Sequence, residues 1–194
     1  AVDAGYDAVI FDGTELPYEE NIATTKKCVE YAKSVNPNII IEAEIGFIGK
    51  SSKVLDVVPE GVGRLTTVEE AVKFVNETGV AMLAPAVGNV HGIVKGGEPD
   101  LNIDRIKEIS NAVKVPLVLH GASGNSVADI KAAIEAGINI IHINTELRVA
   151  FRNGLVKSLQ EDPDQVAPYK YLKGARISMQ KVVEEKLKLF NNVV

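Results

Sequence analysis

PLVLHGASGNS, residues 116–126, is the segment that decides the fold class. A short apolar run ends in His120, and a loop of small residues leads to Asn125 and Ser126, residue types that start helices. We expect a buried strand with a histidine at its carboxyl end, then a tight loop whose backbone N–H groups are open at the start of a helix. Such a loop binds anions, and an adjacent histidine suits a metal. The segment therefore predicts a site for a phosphate and a metal ion.

The same strand–loop–helix pattern is repeated along the chain. We predict strands at residues 7–12, 39–45, 81–87, 117–119 and 138–143. We predict helices at residues 21–34, 102–113, 126–136, 146–159 and 175–189, and one that Thr66 or Thr67 caps and that ends near residue 78. Residues 46–64 and 88–100 are predicted as loops. The strands are continuous apolar runs, typical of a parallel sheet covered on both faces. Strict alternation of strands and helices is compatible with two architectures, an open doubly wound α/β sheet or a (β/α)8 TIM barrel.

The composition limits the classes of partner. We expect the 194 residues to form one domain, 1–194, and the 46% of hydrophobic and 24% of charged residues fit a soluble globular protein. A net charge of −5 argues against a nucleic-acid surface, although a local loop can still bind a small phosphorylated metabolite. No apolar run approaches the roughly 20 residues of a membrane span, and the single Cys28 fits a reducing compartment. We therefore expect a cytoplasmic protein with neither nucleic acid nor membrane as partner.

The start of the chain bears on the architecture. It begins AVDAGYDAVIFDG, without an initiating methionine, and residues 1–5 have the pattern of a helix end capped by Gly5. We predict five strand–helix units, whereas a barrel needs eight. If the fold is a barrel, we expect this chain to supply its last five units plus a C-terminal helix, and the front strands to precede Ala1.

Polar residues recur where the predicted strands end: Asp12, Glu44, Asn89 with His91, His120 and Asn144. In both architectures that edge holds the active site. Two imidazoles at neighbouring strand ends suit zinc, so His91 and His120 are metal candidates, although each could simply bond a loop. Glu44 is a further metal candidate, and the deeper Glu42 is expected to pair with a buried base. Asp12 fits a metal ligand and a helix-entry residue equally well.

Three loops at the same edge favour phosphate. Gly92 and Lys95 follow His91, the residues 121–123 follow His120, and Asn144 and Thr145 open the helix after the fifth strand. In barrels the loops after the last two strands often build a phosphate site. The alternative is that these glycines and hydroxyl residues only cap helices. His142, taken alone inside the predicted strand INIIHI, is expected in the core.

Five motifs together resemble a known family. DAVIFDGTELPYEENI, IEAEIG, LAPAVGNVHGIVKG, PLVLHGASG and INTELRVAF occur in the order and spacing of class II, metal-dependent fructose-bisphosphate aldolases. Relatives that act on tagatose bisphosphate share the pattern. The resemblance implies a (β/α)8 barrel, a dimer or tetramer, that cleaves fructose 1,6-bisphosphate to dihydroxyacetone phosphate and glyceraldehyde 3-phosphate. It also implies Zn²⁺ as a Lewis acid, with room for a second divalent or a monovalent cation.

The resemblance carries over to single residues. His91 and His120 match two of the three zinc-binding histidines, and Asp12 and Glu44 match an accessory or alternate metal position. Lys95 matches a lysine of a mobile loop near the phosphate site. The segments that hold the substrate phosphates are matched by Gly92, Gly121, Ala122, Ser123, His142, Ile143, Asn144 and Thr145.

The chain departs from the family pattern at four places. The His-x-Asp-His motif, which gives the third zinc histidine and the catalytic aspartate, is expected before Ala1, and we therefore expect this chain alone to be inactive or nearly so. The segment FIGKSSKVLD, residues 47–56, has lysine and serine where the family has glutamates, one of which is thought to move a proton. Asp56 or Glu60 could take the place of that glutamate, but neither lies at the spacing that the family pattern has. Ala122 replaces a commoner glycine, and His142 replaces an asparagine.

These departures leave two further hypotheses open. The chain could come from a non-catalytic relative that binds a phosphosugar or a metal. It could also come from a metal-dependent hydrolase or isomerase on the same fold, because fold alone does not determine function. The choice between fructose and tagatose bisphosphate is also open.

Overall fold

The computed structural model describes residues 1–191 and has alternating strands and helices. Its strands are β1 (Ala8–Asp12), β2 (Ile40–Ile45), β3 (Val54–Leu55), β4 (Met82–Pro85), β5 (Ile93–Val94), β6 (Leu117–Leu119) and β7 (Ile138–Ile141). Its helices are α1 (Tyr18–Val35), α2 (Val68–Thr78), α3 (Ile103–Ala112), α4 (Val127–Ala136), α5 (Thr145–Glu161) and α6 (Pro168–Phe190). A single 3₁₀ turn, Val2–Ala4, precedes β1 and ends at Gly5, whose φ of 80° is left-handed.

The main sheet has five parallel strands in the order β1-β2-β4-β6-β7. Each new strand joins on the same side, so the order never reverses as it does in a doubly wound sheet. Helices α1 to α4 pack against one another in the same succession. This is the arrangement of five consecutive units of a (β/α)8 barrel, and it confirms the predicted fold class.

Side chains from the sheet and from the helices meet in one core. The strands contribute Ile41, Leu83 and Leu119, and the helices contribute Phe74 and Ile106, all at most 1% exposed. Burial of this apolar surface is the main force that holds the helices against the sheet. It thereby also fixes the carboxyl ends of the strands relative to one another.

Local hydrogen bonds explain where several helices begin. Thr67 and Glu70 form a reciprocal capping box at the start of α2. The side chains of Asn102 and Ser126 accept hydrogen bonds from the backbone in the first turns of α3 and α4. These caps confirm the predicted starts of the three helices.

Three details of the predicted secondary structure are wrong. The segments predicted as loops contain β3 and β5, which pair in parallel as a separate two-stranded sheet and are too short to show a periodicity. Strand β7 ends at Ile141, which leaves His142 and Ile143 beyond it. Helix α6 starts at Pro168, seven residues earlier than expected, because proline needs no hydrogen-bond partner in a first helical turn.

Within residues 1–191, no helix combines the length and the apolar character that crossing a bilayer requires.

Candidate functional site

A cavity of about 550 Å³ opens at the carboxyl edge of the main sheet. Its walls come from the ends of β1, β2, β6 and β7 and from the loops after β2, β4 and β6. The polar lining residues that the sequence analysis singled out are Asp12, Glu44, His91, His120, Ser123, His142, Asn144 and Thr145. The structure thus brings together residues that are more than 130 positions apart in the chain.

His120 lies at the centre of a buried polar network. Its Nδ1 is 2.8 Å from Oε2 of Glu44, and its Nε2 is 2.6 Å from Oε1 of Glu42. Both carboxylates point inward from β2, because residues two apart in a strand face the same side. Their side chains are only 5% and 3% exposed, for Glu42 and Glu44 respectively. The predicted pairing of Glu42 with a buried base is confirmed, and Glu44 makes the same kind of contact.

His91 is oriented by a single hydrogen bond. Its Nδ1 lies 2.8 Å from the carbonyl oxygen of Gly49, so the N–H at this position donates and Nε2 is the nitrogen that this bond does not use. This is how metal-binding histidines are commonly held. The rings of His91 and His120 are stacked with centroids 5.8 Å apart. The two predicted metal candidates are therefore neighbours in the cavity.

The carboxylates control the charge of His120. Burial of the ring acts to lower the pKa of His120, but the hydrogen bonds to Glu42 and Glu44 outweigh it and raise the pKa to about 9. For His142, burial and the adjacent positive charge of His120 lower the pKa. Two buried carboxylates thus share one imidazole ring as their hydrogen-bond partner.

The donor atoms fit a divalent cation. One ligand atom from each of Glu44, His91 and His120 lies within 4.8 Å of the others. Two imidazoles and one carboxylate are a set that zinc uses in catalytic sites, where a further position stays open for water or substrate. A cation bound to this set would give the buried carboxylate of Glu44 a positively charged partner.

The phosphate candidates form a second wall of the cavity. Gly121 has φ of 58°, and a Cβ there would lie 2.4 Å from the carbonyl oxygen of Val90, so glycine is required for this close turn. Helix α5 begins beside it, and its N-cap residue Asn144 makes no side-chain capping bond. The Glu146 N–H of the first turn donates to Oγ of Ser123 at 3.4 Å. A helix start without an N-cap side-chain bond, next to a glycine turn, favours an anion.

Glu146 limits that anion site on one side. The Gly124 N–H donates to Oε1 of Glu146 at 2.9 Å, and Nζ of Lys186 lies 2.8 Å from the same carboxylate. This contact holds the loop after β6 against α5. The anion site is therefore confined to the part of the loop from Gly121 to Ser123.

Some predicted site residues lie elsewhere. Lys95 does not line the cavity; its Nζ donates to Oδ1 of Asp56 at 2.7 Å, and the Lys95 contact lowers the pKa of Asp56. Ala122 is buried and Ile143 half-buried, and neither lines the cavity. Asp12 lines it, but its Oδ1 accepts hydrogen bonds from the N–H and the hydroxyl of Thr14, the helix-entry role.

The His142 side chain does not lie where we expected it. Taken alone it was expected in the core, yet its side chain is 51% exposed and lines the cavity. The reason is that β7 ends one residue before it, so the strand alternation no longer applies. Its ring stacks on that of His120 with centroids 4.7 Å apart.

Sequence reasoning assigned no positioning role to three buried residues that hold the site in place. Nδ2 of Asn21 donates to the carbonyl oxygen of Glu44, and Nδ2 of Asn89 donates to that of His120. The hydroxyl of Thr66 donates to the carbonyl oxygen of Ile45. Each ties a loop or helix to the end of a strand that carries a site residue. In the sequence, Asn21 and Thr66 lie near predicted helix starts. Asn and Thr are common there as capping residues, so nothing in the sequence indicates that they bind strand carbonyl groups.

Comparison with known proteins agrees with the geometry. The family model described as "Fructose-bisphosphate aldolase class-II" matches residues 1–193. The chain belongs to this family. It is 40% identical over 190 residues to the fructose-bisphosphate aldolase of Staphylococcus aureus strain Mu50, covering 98% of this chain and 64% of that protein. It is 38% identical over 192 residues to the probable fructose-bisphosphate aldolase of Bacillus subtilis strain 168, covering 99% of this chain and 65% of that protein.

Solved structures of the aldolase family have the same architecture. The YdjI aldolase of Escherichia coli K12 superposes with a TM-score of 0.77 at 36% identity, over 97% of this chain and 62% of that one. A putative fructose-1,6-biphosphate aldolase of Coccidioides immitis superposes with a TM-score of 0.80 at 31% identity, over 100% of this chain and 66% of that one. This aldolase-family chain thus spans slightly less than two thirds of the length of the curated relatives named above.

Proposed function

We propose that the protein to which this chain belongs catalyses metal-dependent aldol cleavage, and the reverse condensation, of a ketose bisphosphate. We take fructose 1,6-bisphosphate as the substrate, with dihydroxyacetone phosphate and glyceraldehyde 3-phosphate as products. The observation that carries the proposal is that the Glu44–His91–His120 donor set and the loop at Gly121 line one cavity. The names of the relatives, fructose-bisphosphate aldolase in both bacteria, support the choice of substrate.

A divalent cation held by the donor set would supply Lewis-acid stabilisation of the negative charge that develops on the ketone oxygen. The role of His91 would be to offer Nε2 while Gly49 holds its other nitrogen. Glu44 and Glu42 would keep the ring of His120 in place. These contacts preorganise the ligands, so little reorganisation is needed when substrate arrives.

The phosphate loops would orient the substrate. Backbone N–H groups at residues 121–123 and at the start of α5 would hold one phosphate group, with the hydroxyl of Thr145 beside them. Gly92 and Asn144 would complete this wall. Lys50 and Ser52, which line the cavity from the loop after β2, would face the other end of the substrate. Fixing both ends positions the bond to be cleaved next to the cation site.

An assay of fructose 1,6-bisphosphate cleavage by the full-length protein tests the proposal. We expect formation of glyceraldehyde 3-phosphate that a chelator abolishes and that Zn²⁺ restores. His91→Asn keeps a donor for Gly49 but loses the ligand nitrogen, and it should lower kcat/KM by at least about 100-fold. Lys26→Ala, on the exposed face of α1, is the matched control and should leave kcat/KM unchanged. Metal and phosphosugar binding without cleavage would instead support the non-catalytic relative.

The same preparation tests three attributes that we propose with the function. Parallel assays with tagatose 1,6-bisphosphate should give the lower kcat/KM of the two substrates. Size-exclusion chromatography with light scattering should give a dimer or tetramer. Cell fractionation should place the protein in the cytoplasm.

A further inference from the structure

A largely buried ion pair joins the last two helices beside the loop that follows β6. Nζ of Lys186 in α6 lies 2.8 Å from each oxygen of the Glu146 carboxylate in α5. The side chains are only 17% and 20% exposed, for Lys186 and Glu146 respectively. Neither residue lines the cavity, so any effect of Lys186 on a ligand has to pass through other groups.

Glu146 connects this ion pair to the anion loop, residues 121–124. Its Oε1 accepts the Gly124 N–H at 2.9 Å, and its own backbone N–H donates to Oγ of Ser123 at 3.4 Å. Ser123 lines the cavity and is one of the residues whose N–H groups hold phosphate in the proposed function. The Glu146 carboxylate is therefore bonded to the residue next to the phosphate position.

The negative charge of Glu146 is unfavourable for an anion in this loop. A second carboxylate also packs against the loop, since a Cβ on Gly124 would lie 2.4 Å from Oε1 of Glu98. The charge of Glu146 contributes to the raised pKa of Glu98, so it acts beyond its own helix. Lys186 is the one basic side chain among residues 1–191 in salt-bridge contact with Glu146, and it compensates that charge at close range.

Close packing of α5 and α6 keeps Lys186 in place. A Cβ on Gly154 of α5 would lie 2.7 Å from the carbonyl oxygen of Gly174 in α6, so the two backbones are nearly in contact. Ala175 is completely buried, and Leu189 and Phe190 at the end of α6 pack against the core. The position of the Lys186 ammonium group is thus determined by the fold rather than by a mobile surface side chain.

We propose that Lys186 is a positioning residue for a phosphate group of the substrate. It acts through Glu146 in two ways: it keeps the carboxylate aligned with the Gly124 N–H, and it neutralises a negative charge that would repel phosphate from residues 121–123. The inference rests on the proposed function, because the phosphate concerned is the one that this loop holds there. Helix α6 thereby takes part in substrate binding without touching the substrate.

Phosphate binding by the full-length protein tests the proposal without cleavage. The chelator-treated protein is titrated with inorganic phosphate in a calorimeter, so that bound metal does not contribute. Lys186→Met leaves the charge of Glu146 uncompensated and should weaken phosphate binding by about 10-fold. Lys186→Arg keeps the positive charge and should bind phosphate much as wild type does. Circular dichroism checks the fold, and Lys186→Gln makes the same charge change should Lys186→Met not fold.

A double variant separates the charge of Glu146 from a purely structural role of the ion pair. Glu146→Gln keeps an oxygen that accepts the Gly124 N–H but carries no charge. Glu146→Gln/Lys186→Met should therefore recover most of the phosphate affinity that Lys186→Met loses. If Lys186 only stabilised the fold, the double variant would bind as weakly as Lys186→Met. Lys157→Met, at an exposed ion pair with Glu161 in α5, is the matched control and should bind phosphate as wild type does.

Cleavage kinetics provide a second measurement. In the fructose 1,6-bisphosphate assay, Lys186→Met should raise KM by about 10-fold with little change in kcat. The reason is that a phosphate remote from the reacting bond contributes equally to the binding of substrate and of transition state.

Three results would overturn the role of Lys186: no phosphate binding by wild type, wild-type phosphate affinity in Lys186→Met, or a double variant as weak as Lys186→Met. The proposed function fails separately. A full-length protein that shows the expected phosphate affinities but no cleavage would contradict the aldolase proposal alone. Cleavage with an unchanged KM in Lys186→Met would contradict the role of Lys186 alone.

Discussion

At the residue scale, His120 shows how neighbours prepare a site side chain. Its ring is held from both nitrogens by carboxylates of one strand, and its backbone carbonyl is held by Asn89. His91 is held by a single bond to Gly49. We infer that His120 is the rigid member of the pair and His91 the more adjustable one, because only His91 depends on a loop for its orientation.

Glu98 should make stability depend on pH. Burial raises the pKa of Glu98, the Val94 N–H opposes this, and the charge of Glu146 adds to it. Because the pKa of Glu98 is raised in the folded state, its protonated carboxyl contributes to the free energy of unfolding. That contribution is complete below the pKa of the unfolded chain, about 4.3, and is lost as the pH rises through the pKa of the folded state. Glu98→Gln should therefore gain stability relative to wild type as the pH rises above the unfolded value, until the folded pKa of Glu98 is passed. Urea unfolding at several pH values measures this.

An oppositely shifted group provides the control for Glu98. The hydrogen bond from Lys95 lowers the pKa of Asp56, so its contribution is present above the unfolded value and is lost as the pH falls. Asp56→Asn should therefore lose stability relative to wild type as the pH rises. A Glu98→Gln difference that does not vary with pH would contradict the prediction.

Gly88 should tolerate no side chain. Its φ is 102°, and a Cβ would lie 2.5 Å from the backbone oxygen of Asp100. Gly88→Ala should lower the free energy of unfolding by about 3 kcal/mol or more, from backbone strain and overpacking together. Gly79 has φ of 70° but open space around it, so Gly79→Ala should cost only about 1 to 2 kcal/mol. Equal losses in denaturant unfolding would show that the contact at Gly88 relaxes.

At the scale of elements, α2 depends on its first turn. Thr67 accepts the Glu70 N–H at 3.1 Å, and Glu70 accepts the Thr67 N–H at 2.9 Å. Thr67→Ala should lower the free energy of unfolding by about 1 kcal/mol. Thr24→Ala, inside α1 and without a capping role, should change it by less than about 0.5 kcal/mol. Urea unfolding of the two variants compares them, and equal losses would mean that the capping box adds nothing.

The same capping box shows what the sequence can predict. Helix caps and apolar runs are local signals that span only a few residues of the sequence. We could therefore predict the starts of α2, α3 and α4 and the positions of the long strands. The pairing of Val54–Leu55 with Ile93–Val94 was not predictable, because it joins segments of two residues that are nearly forty positions apart. The contacts of Glu42 with His120 were partly predictable, since strand alternation points Glu42 inward but does not name the histidine. The exposure of His142 depended on where β7 stops, and element ends are poorly defined by pattern.

At the scale of the whole molecule, the sheet order explains why distant residues share one cavity. Parallel strands in the order β1-β2-β4-β6-β7 bring their carboxyl ends to one edge, so each loop adds one group to the same space. A ligand bound there contacts several strand–helix units at once. Binding at this edge should therefore stabilise the entire sheet rather than one loop.

Zinc should raise the thermal stability of the protein through this linkage. At a free Zn²⁺ concentration of about 100 times the Kd, binding adds about 2.7 kcal/mol to the free energy of unfolding. For a chain of this size that corresponds to a rise of about 5 to 10 °C in Tm, which a chelator should reverse. Mg²⁺, which prefers oxygen ligands, should give a much smaller shift. Calorimetric scans of the chelator-treated protein with each cation measure the effect.

The variants tell whether the shift comes from the His120 cluster. His91→Asn should lose most of the zinc-induced rise in Tm, because it removes one of the three donor atoms of the Glu44–His91–His120 set. Lys26→Ala, on the exposed face of α1, should keep the full rise. A full rise in His91→Asn would mean that zinc binds outside this set.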